Sequence, residues 1–151
     1  MTITVPNTPT QVKIAFLAYE GAQMSAVLGL GDILTVANRY AAEVGSGQVD
    51  HAVLHTGDLD GEAGFDAVVL PPNLTGGRGN TDGVVHDWIA EQHRGGATLC
   101  SACAGAFWLG HAGALDGRPV TTHWALEREF RAAFPRAELH PEHLLIDDHD
   151  I

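Results

Sequence analysis

The apolar positions of this 151-residue chain fall into two alternating kinds of run. Short strand-length segments recur at Val12–Ala18, Val49–His55, Phe65–Leu70, Ala97–Ser101 and Pro119–Thr122, of which Phe65–Leu70 is nearly wholly apolar. Runs of this length between turn residues read as buried strands. Between them, apolar residues recur at helical spacing. Met24 to about Tyr40 carries Val27, Leu28, Ile33, Leu34, Val36 and Ala37 in that pattern, ended by the Gly45-Ser46-Gly47 loop. Further helices are expected from near Thr81 to about His93, from Ala104 to about His111, and from Trp124 to Ala133. Gly95-Gly96 stops the first of these and Pro135 the last. Pro71-Pro72 ends the third strand, and Glu138–Ile151 reads as two short strands around Pro141.

Strands alternating with helices over short connections predict an α/β domain: a doubly wound, mostly parallel sheet with helices on both faces. The functional crevice of such a sheet lies beyond the carboxyl ends of its strands. Three strand ends carry unusual residues there, at Tyr19-Glu20-Gly21, Pro71 through Gly77, and Ala102-Cys103-Ala104. They are expected to converge.

Length and composition leave room for one domain, with 45% apolar residues and no apolar run long enough to span a bilayer. Residues 1–11 read as a flexible lead-in without a signal-peptide pattern, and the protein as cytoplasmic. The net charge of −11, with no cluster of Lys or Arg, argues against this chain binding nucleic acid by itself.

Cys103 is the strongest nucleophile candidate, since it sits where a strand turns sharply into a helix. Backbone N–H groups and the positive end of a helix favour thiolate at such a turn. Cys100 and Cys103 share the C-x-x-C spacing of thioredoxin-type redox motifs, but Cys100 falls inside the expected buried strand. The competing reading is one core cysteine and one pocket cysteine.

With that turn placed, the run from Cys103-Ala104-Gly105-Ala106 through Leu115-Asp116-Gly117-Arg118 to Thr121-Thr122-His123-Trp124 resembles a ThiJ/PfpI-type domain of the class I glutamine amidotransferase-like superfamily. More narrowly, it is similar to the N-terminal sensor half of AraC-type transcriptional regulators. Matching features at Tyr19-Glu20-Gly21, Asp32–Asn38 and Val68–Pro71 extend the likeness over nearly the whole chain. The resemblance implies a flavodoxin-like fold over residues 12–151, cut short before its last helix. It also implies a homodimer, and DNA contact only through a helix-turn-helix domain missing from this chain.

The departures bear on chemistry. Enzymes of the superfamily set an acidic residue against the thiol, and that position is Ala26 here. Their Pro-Gly-Gly supplies oxyanion donors after the third strand. This chain has Pro71-Pro72 and reaches Gly76-Gly77 only later. The residue after the nucleophile, His or Thr in catalytic branches, is Ala104. The expected function is therefore that of a small-molecule sensor domain without turnover. Its expected pocket comprises Tyr19, Gly21, Gln23, Pro72, Gly76, Gly77, Ala104, Gly105 and Trp124, with Cys103 at its floor. The alternative is a cysteine-dependent hydrolase or hydratase, similar to isonitrile hydratases, with Cys103 as nucleophile and His123 as base. His123 equally suits a helix cap, and a redox sensor oxidised at Cys103 is a third reading.

No cofactor is expected. His140, His143 and His149 with Asp147 and Asp148 have the chemistry of metal ligands but also fit a solvated acidic hairpin, so no metal is expected. Gly76–Gly79 could cradle an anion but lacks the Lys and Ser/Thr of a phosphate loop. The apolar face of the Met24–Tyr40 helix is expected in the core, with any exposed part available to a dimer.

Overall fold

Val12–Ala18 (β1) and Val49–His55 (β2) form strands over the residues that the pattern predicts, and pair in parallel from Val12↔Val49 to Ala18↔His55. Ala67–Leu70 (β3) pairs on the other side of β1, and Thr98–Ser101 (β4) on the other side of β3. The sheet order is β2-β1-β3-β4 with every pairing parallel. The crossovers run through Met24–Glu43 (α1) and Gly83–Arg94 (α2). Beyond β4 come a 3-10 turn at Cys103–Gly105, Ala106–His111 (α3), Pro119–Val120 (β5), a 3-10 turn at Trp124–Leu126, Glu127–Ala133 (α4) and Glu138–Leu139 (β6). The computed structural model describes residues 11–75 and 81–151. The predicted lead-in and Gly76-Gly77 therefore lie wholly or almost wholly outside the described residues.

The main core lies on one face of the sheet. Leu17, Val68, Leu70 and Leu99 pack with Val85 and Ile89 of α2 and with Trp108 and Leu109 of α3, each at most 2% exposed. Full burial stabilises such a side chain by about 1.5–3 kcal/mol. Phe107, Phe130 and Phe134 form a ring cluster that ties α4 to α3, with Phe107 and Phe130 centroids 5.1 Å apart. Asp82 caps α2, its carboxylate accepting from the Val84 N–H at 3.0 Å.

The opposite face is only partly covered. α1 was expected to bury its apolar face, yet only Val27 and Gly31 are buried, while Leu28, Ile33, Val36 and Tyr40 stand exposed. The apolar residues extend round much of the helix, and the sheet can meet only one strip of them. Gly31 lies against His51 of β2, so α1 sits over the β1–β2 half. In register along that face, Phe16 of β1 is buried, Val69 of β3 is half-buried and Cys100 of β4 is exposed. Cys100 is thus not the core cysteine expected from its strand.

The tail also differs from expectation. β6 pairs in parallel with β5, but the second expected strand does not form. Instead, the Leu99 N–H donates to the Asp150 carbonyl at 2.9 Å. Arg118 donates to the Asp148 and Asp150 carboxylates at 2.7 and 2.6 Å, and His93 Nε2 lies 2.7 Å from Asp150 Oδ2. The Arg118 hydrogen bond, with His93 second, holds the Asp150 carboxyl down to about 2. No described helix is long and apolar enough to cross a membrane.

Candidate functional site

The three unusual strand ends do converge, because β1, β3 and β4 are parallel neighbours whose carboxyl ends share one edge. The β1 and β3 loops are stitched together. Ala22 and Asn73 form an isolated bridge, the Gln23 N–H donates to the Pro72 carbonyl at 2.8 Å, and the Leu74 N–H donates to the Gly21 carbonyl at 2.9 Å. Tyr19 is buried, donates its hydroxyl to the Pro71 carbonyl and meets the Trp108 ring edge-on at 5.2 Å. Gly21 has φ +80°, and a Cβ there would lie 2.9 Å from both Asn73 Oδ1 and Thr75 Oγ1. Only glycine meets both demands.

Cys103 occupies a strained elbow. Its φ is +55°, in the left-handed region that non-glycine residues rarely enter, and it opens the 3-10 turn that feeds α3. Neighbours hold it there. The Ala102 N–H donates to the Leu70 carbonyl at 3.0 Å, the Gly105 N–H to the Ala102 carbonyl at 2.9 Å, and the buried Thr122 hydroxyl to the Cys103 carbonyl at 2.7 Å. Gly105 makes the close approach possible, since a Cβ would fall 2.2 Å from the Leu70 oxygen. Ala104 is buried beside it. Sequence reasoning missed Thr122 as the anchor of this turn, although its place within Thr-Thr-His-Trp was a signal.

The catalytic surroundings are sparse. Ala26, where the resemblance leads one to look for an acid, is half-buried near the start of α1 and offers no carboxylate. Pro71 and Pro72 have no N–H, the Leu74 N–H is committed to Gly21, and the Thr75 N–H to Asn73 Oδ1 at 2.7 Å. Those loop amides cannot also serve an oxyanion. His123 is exposed, and its Nδ1 accepts from the Ala125 N–H at 3.2 Å, capping the 3-10 turn that starts at Trp124. Among the described residues no hydrogen bond joins it to Cys103. Trp124 stands 73% exposed with its ring 5.1 Å from that of His123. Gln23 and Pro72 are half-buried at the loop junction.

Cys100 belongs elsewhere. It faces an open concavity lined by Thr98, Pro119, Thr121, Leu144, Ile146 and Ile151. Although the residue is exposed, enough atoms crowd its sulfur that burial, with Asp147 second, pushes the thiol up from its ordinary value. That upward shift disfavours Cys100 as the attacking thiolate of a dithiol pair. Of the acidic and histidine residues in the tail, His140, Glu142 and His143 come together, while Asp148 pairs with Arg118. Glu142 was absent from the set considered on sequence.

The model of the DJ-1/PfpI family matches residues 13–138. An uncharacterized protein in the cpoL 5′ region of Streptomyces lividans is 30% identical over 126 residues, which cover 74% of this chain and 87% of that protein. Drosophila melanogaster DJ-1beta superposes with a TM-score of 0.67 at 18% identity, over 93% of this chain and 80% of that one. An AraC family transcriptional regulator from Pseudomonas putida superposes with a TM-score of 0.66 at 16% identity, over 91% and 80%. At these identities the structural likeness is one of fold.

Proposed function

The chain belongs to the DJ-1/PfpI family, and from that premise and the elbow geometry we propose that it is the small-molecule sensor domain of an AraC-type transcriptional regulator. It binds its ligand at the ends of β1, β3 and β4 without turning it over. The observation that carries this reading is the committed state of the loop after β3. Two prolines and two internally bonded amides take four of the five backbone positions of residues 71–75 out of service to an oxyanion, each such donor being worth about a hundredfold or more in rate. The Thr121–Trp124 string and the fold shared with the Pseudomonas putida regulator support the regulatory assignment. DNA contact is assigned to a helix-turn-helix domain outside these residues. The exposed apolar ridge of α1 supports a homodimer.

One observation favours the second reading, a cysteine-dependent hydrolase or hydratase. The +55° φ of Cys103 is the sort of strain that nucleophile elbows store. The two are separated by incubating the protein with a panel of amides, esters, aldehydes and isonitriles, following thermal stability and product together. A sensor is stabilised by at least one compound that is recovered unchanged, and Cys103→Ser retains much of that shift. Product formation that disappears in Cys103→Ser overturns the sensor reading.

A further inference from the structure

Beyond β6 the chain makes a tight turn whose histidines take no part in the elbow. His140 is anchored by its N–H to the Val120 carbonyl at 2.9 Å, and the His143 N–H closes the turn on the His140 carbonyl at 3.2 Å. The Thr121 hydroxyl holds the His143 carbonyl at 2.8 Å. Pro141, at the second position of this turn, presets its φ. The backbone is therefore fixed at both ends against β5, and the side chains of His140, Glu142 and His143 project from one rigid corner.

Those side chains converge on a point. Glu142 Oε1 lies 3.2 Å from His140 Nδ1 and 3.8 Å from His143 Nε2. One ligand atom from each of the three lies within 4.8 Å of the other two. A tetrahedral ion with bonds of about 2.0–2.1 Å holds its ligands about 3.3 Å apart. A His140–Glu142 hydrogen bond accounts for the first distance alone. It does not explain why His143 aims its Nε2 at the same oxygen from beyond hydrogen-bond reach.

We propose that His140 Nδ1, Glu142 Oε1 and His143 Nε2 form a binding site for one divalent cation of the Zn²⁺ class, with solvent water completing a tetrahedral shell. Two imidazoles and one carboxylate suit Zn²⁺, whereas Ca²⁺ and Mg²⁺ select all-oxygen sets. The excess of acidic over basic side chains, 19 against 8, favours cation approach. All three residues are partly or largely exposed, so the site is open and exchanges its ion readily. Bound metal stiffens the turn that carries all three ligands, and the Thr121 hydroxyl ties that turn to the segment leading to Thr122, the residue anchoring the Cys103 elbow.

The test uses Co²⁺ alone as a spectroscopic probe, titrated into the full chain carrying Cys100→Ser and Cys103→Ser to remove both thiolates. The expected result is a saturable one-to-one visible d–d spectrum of a four-coordinate ion, displaced by Zn²⁺. Affinity falls at least about tenfold in each of His140→Ala, Glu142→Gln and His143→Ala. His149→Ala leaves it unchanged, and circular dichroism checks the fold of every variant. The proposal is overturned if the thiol-free protein shows no saturable stoichiometric spectrum, or if His143→Ala and Glu142→Gln bind as tightly as their parent.

Discussion

Replacing Gly105 by alanine tests whether the elbow depends on a direct approach between its 3-10 turn and the end of β3. The new Cβ would sit 2.2 Å from the Leu70 oxygen and 2.9 Å from both the Leu70 carbon and the Pro71 oxygen. All three are backbone atoms at the end of a central strand, so no side chain can swing aside. The turn must retreat by about 1 Å to restore ordinary contact, and overpacking of this kind costs about 1–3 kcal/mol. The retreat also pulls Ala102 from the Leu70 carbonyl it now meets at 3.0 Å, which adds about 1 kcal/mol. A total of about 2–4 kcal/mol lowers the melting temperature by about 5–15 °C in a domain of this size. Gly29→Ala is the matched control. It lies within α1, has nothing within 4 Å of its would-be Cβ, and should gain up to about 1 kcal/mol. Thermal and urea unfolding measure both, and iodoacetamide labelling of Cys103 reports whether the elbow has moved. A Gly105→Ala protein that melts within about 2 °C of wild type would refute the close-approach argument.

Thr122→Val removes the hydroxyl held by the Cys103 carbonyl while keeping volume, and should cost about 1 kcal/mol in urea unfolding and change the Cys103 alkylation rate. An unaltered rate would mean that the hydroxyl does not position the turn. His111 stacks on His86 at 4.9 Å, and burial, with His86 second, lowers its imidazole below the ordinary value of 6.5. The unfolded chain therefore takes up its proton first as pH falls. Stability should decline from about 6.5 downward until the lower folded value is passed, and His111→Gln should lose that part of the slope in melts across pH 4–8. Ile33→Glu on the exposed ridge of α1 should turn a dimer into a monomer by light scattering with little loss of monomer stability, since Ile33 is 63% exposed. A dimer that persists in this variant places the interface elsewhere.

Strand positions were legible because short segments of strand length bounded by turn residues alternate with helical patterns, and β1 and β2 match their expected bounds. The two helices after β4 begin instead as 3-10 turns, at Cys103 and Trp124. Local sequence does not encode the bonds to Leu70 and Thr122 that shape the first of them. Burial of α1 was misjudged for a related reason. Periodicity reports which residues are apolar, but the sheet can face only one strip of a helix whose apolar residues extend round much of it. The tail was misread because its order comes from Arg118, His93 and one bond to Leu99, partners distant in sequence.

By itself, the sequence determined the class of fold, the edge of the sheet at which three strand ends meet and the turn on which Cys103 sits, since each follows from local pattern and the rules of parallel connection. It also showed the prolines that cannot donate, and the family resemblance implied the loss of an acid at Ala26. Only the tertiary structure decided that Leu74 and Thr75 spend their amides within the loops, that His123 caps its own turn, and that His140, Glu142 and His143 meet. Hydrogen-bond partners and side-chain convergence are set by how distant segments pack, and no linear pattern carries that information.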